Sequence, residues 1–277
     1  RLRMLAPDDR KTAKLILERH GLQSAKLVEA DPQGIANHTW IADDFVLRVS
    51  KDARFLEDLL TESVAMPALT ALGFNTPPAL HFSLESRSGL PPYSIYRRVR
   101  GTSLCRIDQL SDEPKFFASY GAQLRALHSA GPIADPLGLL DPAWELDLES
   151  LERRASRHGL EVLVKKLSRA VGTYVPCFVH QDLHSENVLV SAEQDPIFID
   201  WGDAGFGDPA ADFRYIPVRF LDHSLEAYGQ IDHGMRVRIA LHSLDQFLYC
   251  EDNGKAYGSY GDSSIDEIRE SLSTLSS

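Results

Sequence analysis

The chain has 277 residues, with 40 Asp or Glu against 29 Lys or Arg and a formal charge of −11 at neutral pH. That length can bury a substantial core as one large domain or two lobes, and with no long basic run the composition argues against a nucleic acid or an anionic membrane as partner. Three well-separated cysteines (Cys105, Cys177, Cys250) in no metal-ligand spacing predict a reducing, cytoplasmic setting, and no stretch reaches the roughly 20 apolar residues of a membrane span.

The opening Arg-Leu-Arg-Met lacks a signal-peptide core, and Met4 is a candidate natural start. Residues 7–20 place Ala13, Leu15, Ile16 and Leu17 among charges and stop at Gly21, which predicts a short helix. Strands are predicted at 25–29, 39–42 and 45–50, with a turn around Gly34 between the first two. A helix follows over 54–72 and stops at Gly73; it carries Glu57 and Glu62. Strands at 79–84 and 93–99 flank a turn at 86–92, and Gly101 turns the chain into its second half. The remaining pattern is helical: 111–130, opened by Ser111, then 144–158, 160–175, 224–228, 234–249 and 263–275. His128 falls on the apolar face of the first of these and reads as a core residue.

The most informative stretch runs from His180 to Asp212, HQDLHSENVLVSAEQDPIFIDWGDAGFGDPAAD. A polar loop (180–186) leads into an apolar strand (187–190), a turn, and a second apolar strand (197–199). Antiparallel pairing would bring Asn187, at the start of one strand, beside Asp200, at the end of the other. Asp182 lies in the loop at that same end. Oxygen donors of this kind suit Mg²⁺, and a spare carboxylate can take a proton from a hydroxyl. Two other readings exist. A solvated acidic turn is the plainest, and a transition-metal hydrolase would use His180, Asp182, His184 and Asp200; that one leaves Asn187 unexplained.

Asp182-x-x-x-x-Asn187 followed by Ile199-Asp200 resembles the catalytic loop and metal-binding strand of the protein-kinase-like superfamily. The longer pattern, His180-Gln-Asp182-Leu-His184-x-x-Asn187 with Ile199-Asp200-Trp-x-x-Ala-x-x-Gly207-Asp208-Pro, is similar to its aminoglycoside phosphotransferase and choline-kinase-like branch. The resemblance implies an α+β two-lobed fold: a small, mainly antiparallel β lobe (1–100) and a larger, mainly helical lobe (101–277). It further implies a kinase that moves the γ-phosphate of ATP or GTP, with Mg²⁺, to a hydroxyl of an aminoglycoside or similar cationic antibiotic. Choline, a sugar, homoserine or a macrolide are alternative acceptors, and a nucleotide-binding module without turnover is the rival from another class.

On this resemblance Asp182 orients the acceptor hydroxyl, and Asn187 and Asp200 hold the metal. The Gly34 loop, with Asn37, covers the phosphates, although a single glycine there also fits an ordinary hairpin turn. Arg48 stands where kinase-like folds present a lysine to the α- and β-phosphates, with Lys51 as the alternative cation. Either Glu57 or Glu62 could pair with it, and Glu62 fits the family's Glu-bearing helix better. Tyr96, Arg98 and Val99 fall in the hinge whose main chain reads the base. Asp203, Glu251 and Asp252 are candidate contacts for a cationic substrate, and Asp208 and Asp212 brace the loop. A monomer or weak homodimer is expected.

Overall fold

A computed structural model describes residues 10–22, 26–31, 33–85, 89–131, 135, 138, 140, 142–261 and 264–276. The chain divides into two compact units, Arg1–Arg100 with Asp200–Asp203, and Gly101–Ile199 with Ala204–Ser277. Among the described residues no helix is long and apolar enough to cross a membrane.

The first unit holds α1 (Arg10–Arg19), β1 (Val28–Glu29), β2 (Asn37–Ile41), β3 (Phe45–Ser50), α2 (Leu56–Ala71), β4 (Ala79–Ser83) and β5 (Tyr93–Arg97). All five strands pair antiparallel, in the order β1-β2-β3-β5-β4. Strand alternation decides where the chemistry goes. Leu47 and Val49 of β3 are fully buried in a core with Trp40, Ile95 and Ala13 and Ile16 of α1. The residue between them, Arg48, therefore points to the opposite face, where α2 supplies its partner.

The second unit carries α3 (Glu113–His128), α4 (Leu148–Ser156), α5 (Glu161–Leu167), α6 (Val218–Tyr228), α7 (His233–Asp252) and α8 (Ile265–Ser276). Its short strands are β6 (Thr102–Ser103), β7 (Cys177–Val179), β8 (Val188–Val190), β9 (Pro196–Phe198) and β10 (Gly205–Gly207), joined as β6-β8-β9 and β10-β7. Leu151, Val164, Leu241, Leu244 and Leu272 pack α4, α5, α7 and α8 into one core. The β8–β9 hairpin is antiparallel as expected, with Val188 opposite Phe198, but the register is one residue off: Asn187 falls opposite Ile199, whose N–H donates to Asn187 O at 3.0 Å, and not opposite Asp200.

Helices α3 and α6 meet at Gly121, where an added Cβ would lie 1.9 Å from the Ser224 carbonyl oxygen. Ser224 Oγ also donates to Phe117 O at 2.8 Å, which pins the crossing. Because the obstacle is backbone, Gly121→Ala is expected to cost about 3 kcal/mol and lower Tm by roughly 6–12 °C. An unchanged Tm by scanning calorimetry would show that the two helices separate without penalty.

Several boundaries differ from expectation for local reasons. Asp112, not Ser111, caps α3 by accepting from Lys115 N at 3.1 Å, while Ser111 Oγ turns to Gln194 Oε1. Helix α6 begins at Val218, ahead of the expected residue 224, and the expected 160–175 helix is helical only over Glu161–Leu167. Residues 201–207, expected to be flexible and polar, hold the fully buried Trp201 and the strand β10. A Gly-Phe-Gly triplet has no alternating pattern, so its pairing with β7 is dictated by tertiary context. Met4, the start of the first helix at residue 7 and strand residue 25 lie outside the described residues.

Candidate active site

In the first unit, Arg48 of β3 is clamped between two carboxylates. It donates to Glu62 of α2 and, through Nη2, to Asp200 Oδ1 at 2.7 Å. Glu62 is 3 % exposed and also accepts from the Tyr96 hydroxyl and from Trp201 N at 3.2 Å. Burial works against the Arg48 charge, but Asp200 and Glu62 outweigh it and hold the guanidinium protonated well above its ordinary value. Burial pushes the Glu62 carboxyl above its ordinary value, against the pull of Arg48. Asp200 is half exposed and sits at φ +65°, a left-handed conformation that Asp tolerates better than most residues.

Of the two glutamates weighed, Glu62 is the one that meets Arg48. Tyr96 has a different place from that expected: its side chain is buried in this network and its main chain pairs within the sheet. The Arg98 N–H is bonded to Asp44 O at 2.8 Å, which removes that donor from base reading, and Val99 follows half-buried. Lys51 Nζ bonds to Gly34 O at 2.5 Å and so braces the loop. Asn37 is buried at the start of β2, a sheet residue more than a loop donor. Asp58 is a neighbour the sequence did not single out: burial, then the Asp200 charge, raise its carboxyl.

In the second unit, β7 delivers the loop that starts at His180. Asp212, 1 % exposed, accepts from His180 N at 2.9 Å and Gln181 N at 2.7 Å, and its Oδ2 meets His128 Nε2 at 3.1 Å. Gln181 is thereby held at φ +70°, with Trp144 N donating to its Oε1 and Arg214 to its carbonyl. The His180 ring is part of the scaffold, Nε2 against Ile199 O at 3.0 Å and Nδ1 accepting from Asp182 N at 3.3 Å.

This scaffold presents Asp182. Its Oδ1 lies 3.5 Å from the Tyr215 hydroxyl and its Oδ2 lies 3.4 Å from His184 Nε2. Asn187 donates its amide to Asp182 O at 2.8 Å and Oδ2 at 3.2 Å. Burial pushes the Asp182 carboxyl up, but the His184 hydrogen bond and charge, with His180 and Arg214, outweigh it and hold it below the usual range. Asp182 is therefore ionised at neutral pH. Asp208 caps the turn after β10 by accepting from Ala210 N at 3.0 Å and pairs with Arg238 at 2.9 Å.

Asp182 also lines a pocket of about 700 Å³, a size suited to a drug-like molecule. Glu186, Tyr215, Tyr257, Tyr260 and Lys255 are among its walls. The acidic pair expected to receive a cation is elsewhere. Glu251 faces His158 at 3.4 Å and Asp252 pairs with Arg157 at 2.7 Å, and neither lines the pocket. As the last turn of α7 they point where its helical phase sends them. Asp203 is exposed and belongs to the first unit. The tyrosines of the pocket were missed; Tyr257 and Tyr260 had a sequence signal in the Gly/Ser/Tyr-rich run after α7, and Tyr215 had none.

The fold family implies Mg²⁺, and the donor chemistry fits. With the Asn187 amide nitrogen committed to Asp182, the Asn187 Oδ1 is the oxygen left to face a hard cation. Among the described residues no three His, Cys, Asp or Glu cluster as a metal site, and the His180 ring is engaged in the scaffold.

Comparison with known proteins identifies the family. A family model described as "Phosphotransferase enzyme family" matches residues 28–242. Viomycin phosphotransferase of Streptomyces vinaceus is 28% identical over 210 residues, 66% of this chain and 72% of that protein. The GDP and kanamycin complex of APH(2")-IIia superposes with a TM-score of 0.68 at 20% identity, covering 96% of each chain. A choline/ethanolamine kinase family protein from Mesorhizobium loti gives 0.60 at 18%, over 96% of this chain and 92% of that one. With most of its length matched by that family model, the chain belongs to the phosphotransferase enzyme family.

Proposed function

We propose that the chain is a small-molecule O-phosphotransferase, moving the γ-phosphate of ATP or GTP to a hydroxyl of an aminoglycoside or similar antibiotic. The observation that carries the reading is an ionised carboxylate, Asp182, fixed by Asn187, Tyr215 and His184 at the wall of a ligand-sized pocket. The name of the viomycin-modifying relative supports the choice of acceptor class.

In this reading Asp182 accepts a hydrogen bond from the acceptor hydroxyl, aims its oxygen at the γ-phosphate and takes the proton as the bond to phosphorus forms. Phosphoryl transfer asks for positioning and charge neutralisation more than for covalent work by the protein. Arg48, steadied by Glu62, supplies a fixed positive charge for the α- and β-phosphates, and its planar fork suits bidentate grip. Asn187 and Asp200 are the residues that would hold Mg²⁺, which supplies neutralisation of the phosphate charge when bound. The Gly34 loop and the main chain near Val99 are assigned to the nucleotide.

The test is nucleotide consumption with ATP and with GTP, with and without Mg²⁺, against viomycin, kanamycin, a macrolide and choline, each acceptor then weighed by mass spectrometry. One phosphorylated acceptor, formed only with metal, is the expected result. Nucleotide binding without any modified acceptor would overturn the antibiotic assignment.

A further inference from the structure

The acceptor pocket is poor in carboxylates. Among its described lining residues the acidic side chains are Asp182 and Glu186, and the first is committed to the reacting hydroxyl. Glu186 is thus the one carboxylate left to neutralise an ammonium group. A lysine stands in the same wall: Lys255 follows α7, its backbone N–H fixed on Cys250 O at 2.8 Å and its Nζ 5.3 Å from the centre of the Tyr249 ring. The cation over the ring face holds the positive charge in the pocket wall.

The tyrosines define the rest. Tyr257 donates its hydroxyl to Arg214 O, Tyr260 donates to Glu113 Oε1 at 2.9 Å, and the Tyr215 hydroxyl faces Asp182. With those hydroxyls engaged by the protein, what these residues offer a ligand is ring surface, which suits the apolar face of a sugar or another ring.

We propose that Lys255 is a charge filter of the acceptor site. The pocket takes a hydroxylated, ring-bearing acceptor with a single ammonium near Glu186 and neutral or anionic groups toward Lys255. It disfavours acceptors with several ammonium groups, because one of them must be desolvated beside a like charge. This rests on the phosphotransferase reading and narrows its acceptor class, away from aminoglycosides with several ammonium groups and toward antibiotics with one.

The experiment uses the full chain and two probes, kanamycin with several amines and a macrolide with a single amine, titrated calorimetrically and assayed for turnover. Lys255→Glu is expected to tighten kanamycin binding about tenfold, and to lower its KM in parallel, while macrolide affinity moves less than about twofold. Lys255→Gln falls between, and Glu186→Gln weakens kanamycin binding. If the original chain binds no kanamycin, Lys255→Glu must bring binding into range. Kanamycin affinity that Lys255→Glu leaves unchanged or weakens overturns the filter. Failure of the phosphotransferase reading has a different signature: no phosphorylated product with either probe, even where the charge dependence of binding holds.

Discussion

Asn in place of Asp182 is expected to lower kcat by about 10²–10⁴-fold while leaving the Kd of Mg-nucleotide unchanged. The substitution keeps size and shape, and one amide oxygen can still accept from Asn187 Nδ2, now 3.2 Å from Oδ2. What disappears is the negative charge. Because the folded protein holds this carboxyl below the usual carboxylate range, it is a weak base that stays ionised at neutral pH. Its main contribution is then a charge-assisted hydrogen bond that orients the acceptor hydroxyl, with proton uptake late in a loose transition state. The loss should therefore appear in kcat, with acceptor KM changing little. Turnover within about threefold of the original chain would remove Asp182 from the reaction.

How far the sequence reveals the site depends on whether a residue acts through its type or through its neighbours. Asp182 and Asn187 come together because only five positions of one loop separate them, and the Asn187 amide bonds back to Asp182; the β8–β9 hairpin is antiparallel as the pattern requires. Arg48 was singled out by resemblance, and its placement has a simple cause: alternation along β3 puts Leu47 and Val49 inside and leaves Arg48 on the other face. Glu62 was preferred to Glu57 on its fit to the family's Glu-bearing helix, and it is Glu62 that meets Arg48. Tyr96 falls inside β5, its main chain between β3 and β4, and its hydroxyl serves Glu62, two facts of pairing and packing that the sequence does not carry.

The pocket was the least legible part. Tyr215, Tyr257, Tyr260 and Lys255 come from loops with no periodic signal, and the fold alone brings them to the side of Asp182. Glu251 and Asp252 looked suitable by charge, yet the last turn of α7 directs them to His158 and Arg157. Charge in a sequence is easy to count, but its direction is a tertiary fact.

Asp212→Ala is expected to be among the most damaging substitutions, costing about 3–5 kcal/mol, because three donors lose their acceptor at once. His180 N, Gln181 N and His128 Nε2 all converge on this carboxylate, which is 1 % exposed, so water cannot replace it without opening the loop. Gln181 would also lose what holds it in a left-handed conformation, and Asp182 follows it directly, so activity should fall further than stability explains. The near-isosteric Asp212→Asn separates charge from shape. Burial alone would raise this carboxyl, but the hydrogen bond and charge of His128, the charge of His180 and its N–H outweigh burial and lower it. A depressed folded-state value means that the stabilisation is complete above the unfolded Asp value of about 3.9 and is lost as the pH falls through the folded value. Urea unfolding of the original chain and of Asp212→Asn should therefore show a stability gap that is constant from neutral pH down to about 5 and closes below about 4. A gap that stays constant through that acidic range would mean that the Asp212 charge contributes nothing and that the side chain is held by shape alone.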